Sequence, residues 1–405
     1  MSATSTYDWL NKDLVETALR SHYGDVRVLD FKIQDATAKG DNHLSKMLRL
    51  QARTNDGATH SIIVKGSLEQ GSKAAMTRVM KESKIFRREE VVYGTVLPRL
   101  HAMVQQSFPD DFEPFAPISL HSAKTFLLLE DLTPQGFKML DRHAGLDLDH
   151  CLRAMRAIGR FHAATAVLHE RDPDALQEFS ESFFSEPSVE PGWGNFSKGM
   201  AKTFVEELKT WPKEWSKYVQ KVSDFSEVIM ERLHENIRRR EEDFNVLAHV
   251  DLWVNNVMFR DEEPRSLRIV DFQWAHFSSP ALDLHYFIDS SLSPEVRDKH
   301  RDRLFEEYHS SLSTSLRALG YTKTPVTLQD IHDEYARKST FGLVLLLAQV
   351  AVIQSRPGCG FEIEECLETG TNPGRSMYSD NYRDNVKTFL PIFDRNGAFE
   401  SPSGK

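Results

Sequence analysis

The stretch "AHVDLWVNNVMF", residues 248 to 259, places four polar side chains inside an apolar run. His249, Asp251, Asn255 and Asn256 lie among residues that are typical of a buried strand or strand edge. Buried polar groups cost free energy unless they are hydrogen-bonded. The stretch therefore predicts either a hydrogen-bond network or a ligand site.

The spacing of these residues favours a ligand site. His249, Asp251 and Asn256 form the pattern H-x-D-x-x-x-x-N, and "LRIVDFQ" places Asp271 fifteen residues after Asn256. Two short strands joined by a turn would bring Asn256 and Asp271 together as oxygen ligands for Mg²⁺, an ion that also binds substrate phosphates. Asp251 would lie beside them as the catalytic carboxylate that orients a hydroxyl and accepts its proton, and His249 would brace this catalytic turn. The predicted cofactors are ATP and Mg²⁺.

Two charged residues upstream fit the same chemistry. Lys65 ends the strand-like run "SIIVK", from which its ammonium could reach the phosphates of ATP. Glu89 lies on the inner face of the following predicted helix and could hold Lys65 in place. Its neighbour Glu90 lies at almost the same angle, so the sequence leaves the choice between the two open.

Two further segments complete the predicted nucleotide site. "LLLEDL", residues 127 to 132, would be the connector whose backbone meets adenine, which places Glu130, Asp131 and Leu132 at the cofactor. "GDNHLS", which ends at Ser45, contains a glycine turn that could cover the phosphates.

The pattern along the chain predicts an α+β fold. Three alternating or apolar runs between residues 26 and 68 indicate an antiparallel meander, and the turn signals "GDN" and "NDG" separate them. A helix is expected over residues 74 to 97, closed by Pro98. The remaining periodicity is mostly helical, and residues 172 to 245 mix Pro and Gly with many aromatic residues.

The composition argues against several classes of partner. The chain has 405 residues with a formal net charge of −10, whereas nucleic-acid binding requires a basic surface. No membrane insertion is expected, because the longest apolar run, residues 341 to 353, is too short to cross a bilayer. The three cysteines form no metal-ligand pattern and suit a reducing compartment, so we predict a cytoplasmic protein. The sequence leaves the oligomeric state open.

The segments "HVDLWVNNVMF", "IVDFQ", "IFRREEVVYGTVLPRL" and "LLLEDL" resemble the ecdysteroid kinase-like family, also called choline-kinase-like kinases. This family belongs to the aminoglycoside phosphotransferase superfamily of the protein-kinase fold, and the resemblance spans roughly residues 35 to 315. It implies a bilobal protein-kinase-like fold, with a small antiparallel β-sheet N-lobe in residues 1 to 130 and a larger helical C-lobe in residues 131 to 405.

The resemblance also implies roles for the motif residues. Asp251 would be the catalytic base, Asn256 and Asp271 would bind Mg²⁺, and Lys65 with Glu89 would position ATP. Ser45 matches a family position near the phosphates. The family usually has Gly between His and Asp, where this chain has Val250.

The predicted function is phosphorylation of a hydroxyl on a small, apolar molecule. Only eleven residues, 272 to 282, separate Asp271 from Asp283, which leaves little room for the activation segment of a protein kinase. Residues 172 to 245 would instead form the acceptor pocket, and their aromatic residues suit a flat apolar alcohol such as an ecdysteroid-like sterol. A choline- or ethanolamine-type kinase remains an alternative, because aromatic rings also bind quaternary ammonium groups. The other alternative is an inactive, ATP-binding pseudokinase, toward which Val250 is the local hint.

Overall fold

A five-stranded antiparallel sheet forms the N-terminal part of the protein in the computed structural model, which describes residues 9–36, 46–66, 84–185 and 190–400. The strand order is β1-β2-β3-β5-β4. The predicted meander is confirmed, whereas the edge strand β4 was not predicted. The strands are β1 (Val28–Asp35), β2 (Lys46–Thr54), β3 (Thr59–Gly66), β4 (Ser119–Ala123) and β5 (Phe126–Glu130).

The two faces of the sheet pack against different partners. Helix α1 (Lys12–Tyr23) covers the outer face, where its Val15 and Leu19 join Leu50 and Ile62 in a small separate core. Side chains alternate along a strand, so Lys65 lies on the opposite face from its neighbour Val64, which belongs to the small core. Lys65 therefore points toward the helical part of the protein.

The helix between β3 and β4 is continuous but irregular. It begins as α2 (Ile85–Val91), passes through a π-helical turn at Val92–Val96 and continues as α3 (Leu97–Ser107). The prediction that Pro98 closes the helix is wrong. Pro98 lies in the first turn of α3, where its missing N–H is tolerated. Residues 74 to 83 of the predicted helix lie outside the described residues.

The rest of the described chain is mostly helical and contains the large core. The helices are α4 (Leu148–Arg171), α5 (Glu190–Leu208), α6 (Ser216–Glu227), α7 (Ile229–Ile237), α8 (Ala281–Ser290), α9 (Pro294–Lys299), α10 (Arg301–Leu319), α11 (Leu328–Arg337), α12 (Ser339–Leu347), α13 (Gln349–Ile353), α14 (Ile363–Thr369) and α15 (Asp380–Arg395).

Two small two-stranded sheets lie among these helices. Strand β6 (Val246–Ala248) pairs with β9 (His276–Ser278), and β7 (Val257–Arg260) pairs with β8 (Ser266–Ile269). The loops that leave β6 and β8 contain the H-x-D and D-F-Q motifs. The pairing therefore brings the two motifs to one place, as the sequence predicts.

This architecture confirms the predicted α+β, protein-kinase-like fold class, with an antiparallel N-terminal sheet and a mostly helical remainder. The apolar run at 341 to 353 is buried as α12 and α13, which are separated at Ala348. Among the described residues, no single helix has the length and apolarity to cross a membrane, although the bent pair Leu328–Arg337 and Ser339–Ile353 meets both criteria together. The boundary between residues 130 and 131 stays a prediction.

Candidate active site

The turn that contains the H-x-D motif is held in place by one buried carboxylate. Asp283, on α8, accepts hydrogen bonds from the backbone N–H groups of His249 at 2.8 Å and Val250 at 2.7 Å. It is also 3.0 Å from Nε2 of His162, whose Nδ1 lies 2.8 Å from the Tyr308 hydroxyl. All of these groups are buried, so the network fixes the turn on the rigid helical core. Both ring nitrogens of His162 thus have partners within the core.

Val250 has an unusual backbone conformation. Its φ angle is +64°, which lies in the left-handed region that side chains branched at Cβ rarely adopt. The Val250 side chain is nevertheless buried, and its N–H is bonded to Asp283. Replacing the family's usual Gly by Val therefore leaves the turn in the conformation that a glycine would adopt there.

Both ring nitrogens of His249 form hydrogen bonds with backbone groups. Its Nε2–H donates to the Val270 carbonyl at 2.9 Å, and its Nδ1 accepts the Asp251 N–H at 3.2 Å. Burial lowers the pKa of His249, which favours the neutral ring that this pattern requires. The geometry supports a bracing role for His249 between the two motif loops.

Asp251 is held in place by Asn256 and Tyr286. The Asn256 Nδ2 donates to the Asp251 backbone oxygen at 2.7 Å and to Oδ2 at 2.8 Å, and the Tyr286 hydroxyl forms a further hydrogen bond with the carboxyl. Burial and the nearby Asp271 carboxylate raise the pKa of Asp251 from 3.8 to about 8, against the effect of these hydrogen bonds. A carboxylate with a raised pKa is a better proton acceptor, as a general base requires.

The raised pKa of Asp251 implies that the stability of the protein depends on pH. Between pH 4 and pH 8 the folded protein holds a proton on Asp251 that the unfolded chain has lost, so stability must fall as pH rises through this window. The contribution is at most about 1.4 kcal/mol per pH unit. We expect chemical denaturation without Mg²⁺ to show that Asp251→Asn gains stability relative to wild type between pH 6 and pH 8. An identical pH dependence in the two proteins would contradict the raised pKa.

Lys65 lies between two carboxylates. Its Nζ is 2.7 Å from Glu89 Oε1 and 2.8 Å from Asp271 Oδ1. Burial alone would lower the Lys65 pKa, but the charges of Asp271 and Glu89 outweigh it and raise the pKa above its ordinary value. Glu90 instead pairs with Arg87 on the surface, so the structure resolves the choice between Glu89 and Glu90 in favour of Glu89.

Asn256 and Asp271 each keep an oxygen to which no described residue donates, as a cation would need. The Asn256 amide nitrogen is bound to Asp251, so its side-chain oxygen remains for a ligand. The Asp271 side chain is 26% exposed and uses Oδ1 for Lys65. Within the described ranges, no group of three or more His, Cys, Asp or Glu residues could hold a metal alone. Two protein oxygens fit Mg²⁺, which completes its shell with water and phosphate oxygens.

The connector residues use their side chains for structure. Asp131 accepts hydrogen bonds from Arg49 Nε at 2.6 Å and Ser61 Oγ at 2.7 Å. Burial would raise the Asp131 pKa, but these hydrogen bonds outweigh it and lower the pKa. Among the described residues, no group accepts the Leu132 backbone N–H, which leaves it for a ligand.

The Glu130 carboxylate is likewise committed to the protein. It accepts from the Ile118 N–H at 3.1 Å and from Gln135 Nε2 at 2.5 Å. The predicted contact of the connector with adenine therefore rests on its backbone. Ser45 and the turn "GDNHLS" lie outside the described residues.

The aromatic residues of the predicted acceptor segment divide into two groups. Phe183, Phe184 and Trp193 pack around Trp274, three residues after Asp271, and Phe183 stacks on Trp274 with ring centroids 5.2 Å apart. We call these four residues the aromatic cluster. The other group, Trp211 and Trp215, packs near α15, where Trp211 Nε1 donates to Glu207 and Glu207 binds Arg383.

A cavity of about 690 Å³ lies apart from these groups. Its walls include His169 of α4, Phe277 of β9 and Tyr321 after α10, and neither Asp251 nor Asp271 lines it. We therefore assign the candidate active site from the motif residues and not from this cavity.

Comparison with known proteins identifies the family. The structure resembles a choline kinase from Cryptosporidium parvum, with a TM-score of 0.47 and 14% identity over 95% of this chain and 97% of the other. It also resembles a putative aminoglycoside phosphotransferase from Ralstonia eutropha, with a TM-score of 0.45 and 12% identity over 96% and 98% of the two chains. Similarities this weak carry no argument about function. A search of curated protein sequences found no match.

The family assignment rests on the sequence match. The model of the ecdysteroid kinase-like family matches residues 39 to 321, which is well over half of the chain. This range includes Lys65, Glu89, Asp251, Asn256 and Asp271. The protein therefore belongs to the ecdysteroid kinase-like family of small-molecule kinases.

Proposed function

We propose that the protein transfers the γ-phosphoryl group of ATP to a hydroxyl of a small, apolar molecule, releasing ADP and a phosphate ester. The observation that carries this proposal is the convergence of Lys65, Asp251, Asn256 and Asp271 from distant segments on one site. A positioned base, a cation for the phosphates and two oxygen ligands for a metal are the parts that phosphoryl transfer requires.

Each residue has a separate task in this proposal. Lys65, held by Glu89, neutralises phosphate charge. Asp251 orients the acceptor hydroxyl and takes its proton as the oxygen bonds to the γ-phosphorus. Asn256 and Asp271 would hold Mg²⁺, which would offset the negative charge of the phosphates when bound. The backbone of Leu132 would receive adenine.

An apolar acceptor, such as an ecdysteroid-like sterol alcohol, is supported by the family name and by the aromatic cluster beside Asp271. The rings of this cluster pack edge to face and face to face on one another, so they do not form an open cage for a quaternary ammonium group. This packing argues against a choline cage, and the family name favours the apolar acceptor. The pseudokinase alternative gains nothing from Val250, because the turn keeps its contacts with Asp283.

Turnover with a panel of acceptors tests the proposal. We would measure Mg²⁺-dependent ADP release with ecdysone, 20-hydroxyecdysone, choline, an aminoglycoside and a peptide, with Asp251→Asn as the control. We expect turnover on a steroid only. Turnover on choline would show that the acceptor is a quaternary ammonium alcohol and not an apolar molecule. Mg·ATP binding without turnover on any acceptor would favour the pseudokinase, and absence of Mg·ATP binding would refute the proposal.

A further inference from the structure

Arg88 connects the helix of the nucleotide site to two segments of the helical part. It directly precedes Glu89 on α2, and only 2% of its surface is exposed. Its Nη1 donates to the Ala275 carbonyl at 3.1 Å, and its Nη2 donates to the Glu181 carbonyl at 2.8 Å. Hydrogen bonds from a buried guanidinium are strong and directional. Arg88 therefore fixes the distance between α2 and both segments.

Both acceptor carbonyls adjoin the aromatic cluster. Ala275 follows Trp274, and Glu181 lies two residues before Phe183. The stacked rings of Phe183 and Trp274 are nearly parallel, with an angle of 11° between their planes. A displacement of Arg88 would thus move the backbone on both sides of this ring pair.

The loop that contains the metal-binding motif is held at both ends by consecutive residues of α2. Glu89 binds Lys65, which binds Asp271 at the beginning of the loop. Arg88 binds Ala275 at its end. Since Arg88 and Glu89 belong to one helix turn, neither end of the loop can shift alone without breaking a charged hydrogen bond.

We propose that Arg88 is a positioning residue that couples Mg·ATP binding to the geometry of the aromatic cluster that adjoins the metal-binding loop. This inference rests on the proposed function. Mg·ATP contacts Lys65 and Asp271, the contacts reset the position of α2, and Arg88 transmits that position to Trp274 and Phe183. Because coupling between two sites is reciprocal, an acceptor whose binding depends on the position of the cluster also strengthens Mg·ATP binding.

Tryptophan fluorescence tests this coupling without a known acceptor. Mg·ATP is titrated into wild type, and Trp274→Phe identifies the part of the emission change that comes from Trp274. Nucleotide affinity is measured separately by calorimetry. We expect Arg88→Met to bind Mg·ATP within about threefold of wild type but to lose the Trp274 response, while Arg88→Lys, which can reach only one carbonyl, retains part of it.

Arg87→Met is the matched control. Arg87 lies on the same helix, is 48% exposed and pairs with Glu90 outside the site, so this variant should respond as wild type does. Melting temperatures of all variants show whether each one folds. If Arg88→Met does not fold, Arg88→Lys is the variant that tests the coupling. Where an acceptor is turned over, Arg88→Met should raise the KM for that acceptor by about tenfold, within the usual range of coupling between sites.

The possible failures are distinguishable. A wild-type protein that binds no Mg·ATP would refute the proposed function itself. Mg·ATP binding without any Trp274 response in wild type, or an unchanged response and acceptor KM in Arg88→Met, would overturn the role of Arg88 alone.

Discussion

Replacing Asp251 by asparagine should lower kcat by about 10²- to 10⁴-fold, which is the usual contribution of a general base to the rate. The affinity for Mg·ATP should stay almost unchanged. The substitution preserves the shape of the side chain, and its amide oxygen can still accept the hydrogen bond from Asn256. The asparagine side chain cannot, however, take up the proton that the substrate hydroxyl releases. Steady-state kinetics and calorimetric titration with Mg·ATP measure the two effects separately.

Asp261→Asn is the control for this prediction. Asp261 lies ten residues further along the chain, where it binds Arg153 and His150 outside the motif loops. These contacts lower its pKa, so its replacement can reduce stability but should leave kcat unchanged. If Asp251→Asn keeps kcat within tenfold of wild type, Asp251 is not the base. If both variants lose activity equally, the loss in Asp251→Asn reflects structure and not chemistry.

Lys65→Met should be the most destabilising of the substitutions discussed, with a loss of about 3 to 5 kcal/mol in the free energy of unfolding, together with the loss of Mg·ATP binding. The reason is that Glu89 has only 1% of its side chain exposed, so its charge would be left without the Lys65 ammonium. The destabilisation should be smaller at pH 5 than at pH 8, because an unpaired buried carboxyl can take up a proton. Urea denaturation at both pH values measures this.

The double variant Lys65→Met/Glu89→Leu separates stability from function. Removing both charges should recover most of the lost stability, whereas Mg·ATP binding should stay lost. Lys198→Met is a matched control, because the Lys198–Glu227 pair is exposed and its loss should change the free energy of unfolding little. A double variant that is less stable than Lys65→Met would show that Glu89 is not left unpaired in the single variant.

The motif residues could be predicted because their chemistry imposes fixed spacing along the chain. Asp251 and Asn256 are five residues apart and contact each other directly, and Asp271 follows on the next hairpin. Lys65 could be predicted only in combination with these residues, since a lysine at the end of a strand is usually solvated. Its partner could not be decided between Glu89 and Glu90 by helical angle alone, and the structure decides it by burial.

Other parts of the site could not be predicted because no local sequence pattern indicates their contacts. Arg88 binds backbone carbonyls, which any residue supplies. Tyr286 reaches Asp251 from α8, thirty-five residues along the chain, and the short edge strand β4 has little apolar alternation. The aromatic residues of 172 to 245 have similar composition throughout, so only the tertiary structure separates Phe183 and Trp193 from Trp211 and Trp215.

The π-helical turn at Val92–Val96 has a consequence for changes in chain length. This turn joins α2, which presents Glu89 to Lys65, to α3, which presents Leu100 and Val104 to the large core. One residue corresponds to a rotation of about 100° along a helix. Deleting a single residue of this turn would therefore rotate Glu89 away from Lys65 while every side chain that α3 packs into the core kept its place. The number of residues between Glu89 and Leu100 is therefore a fixed requirement of the candidate active site.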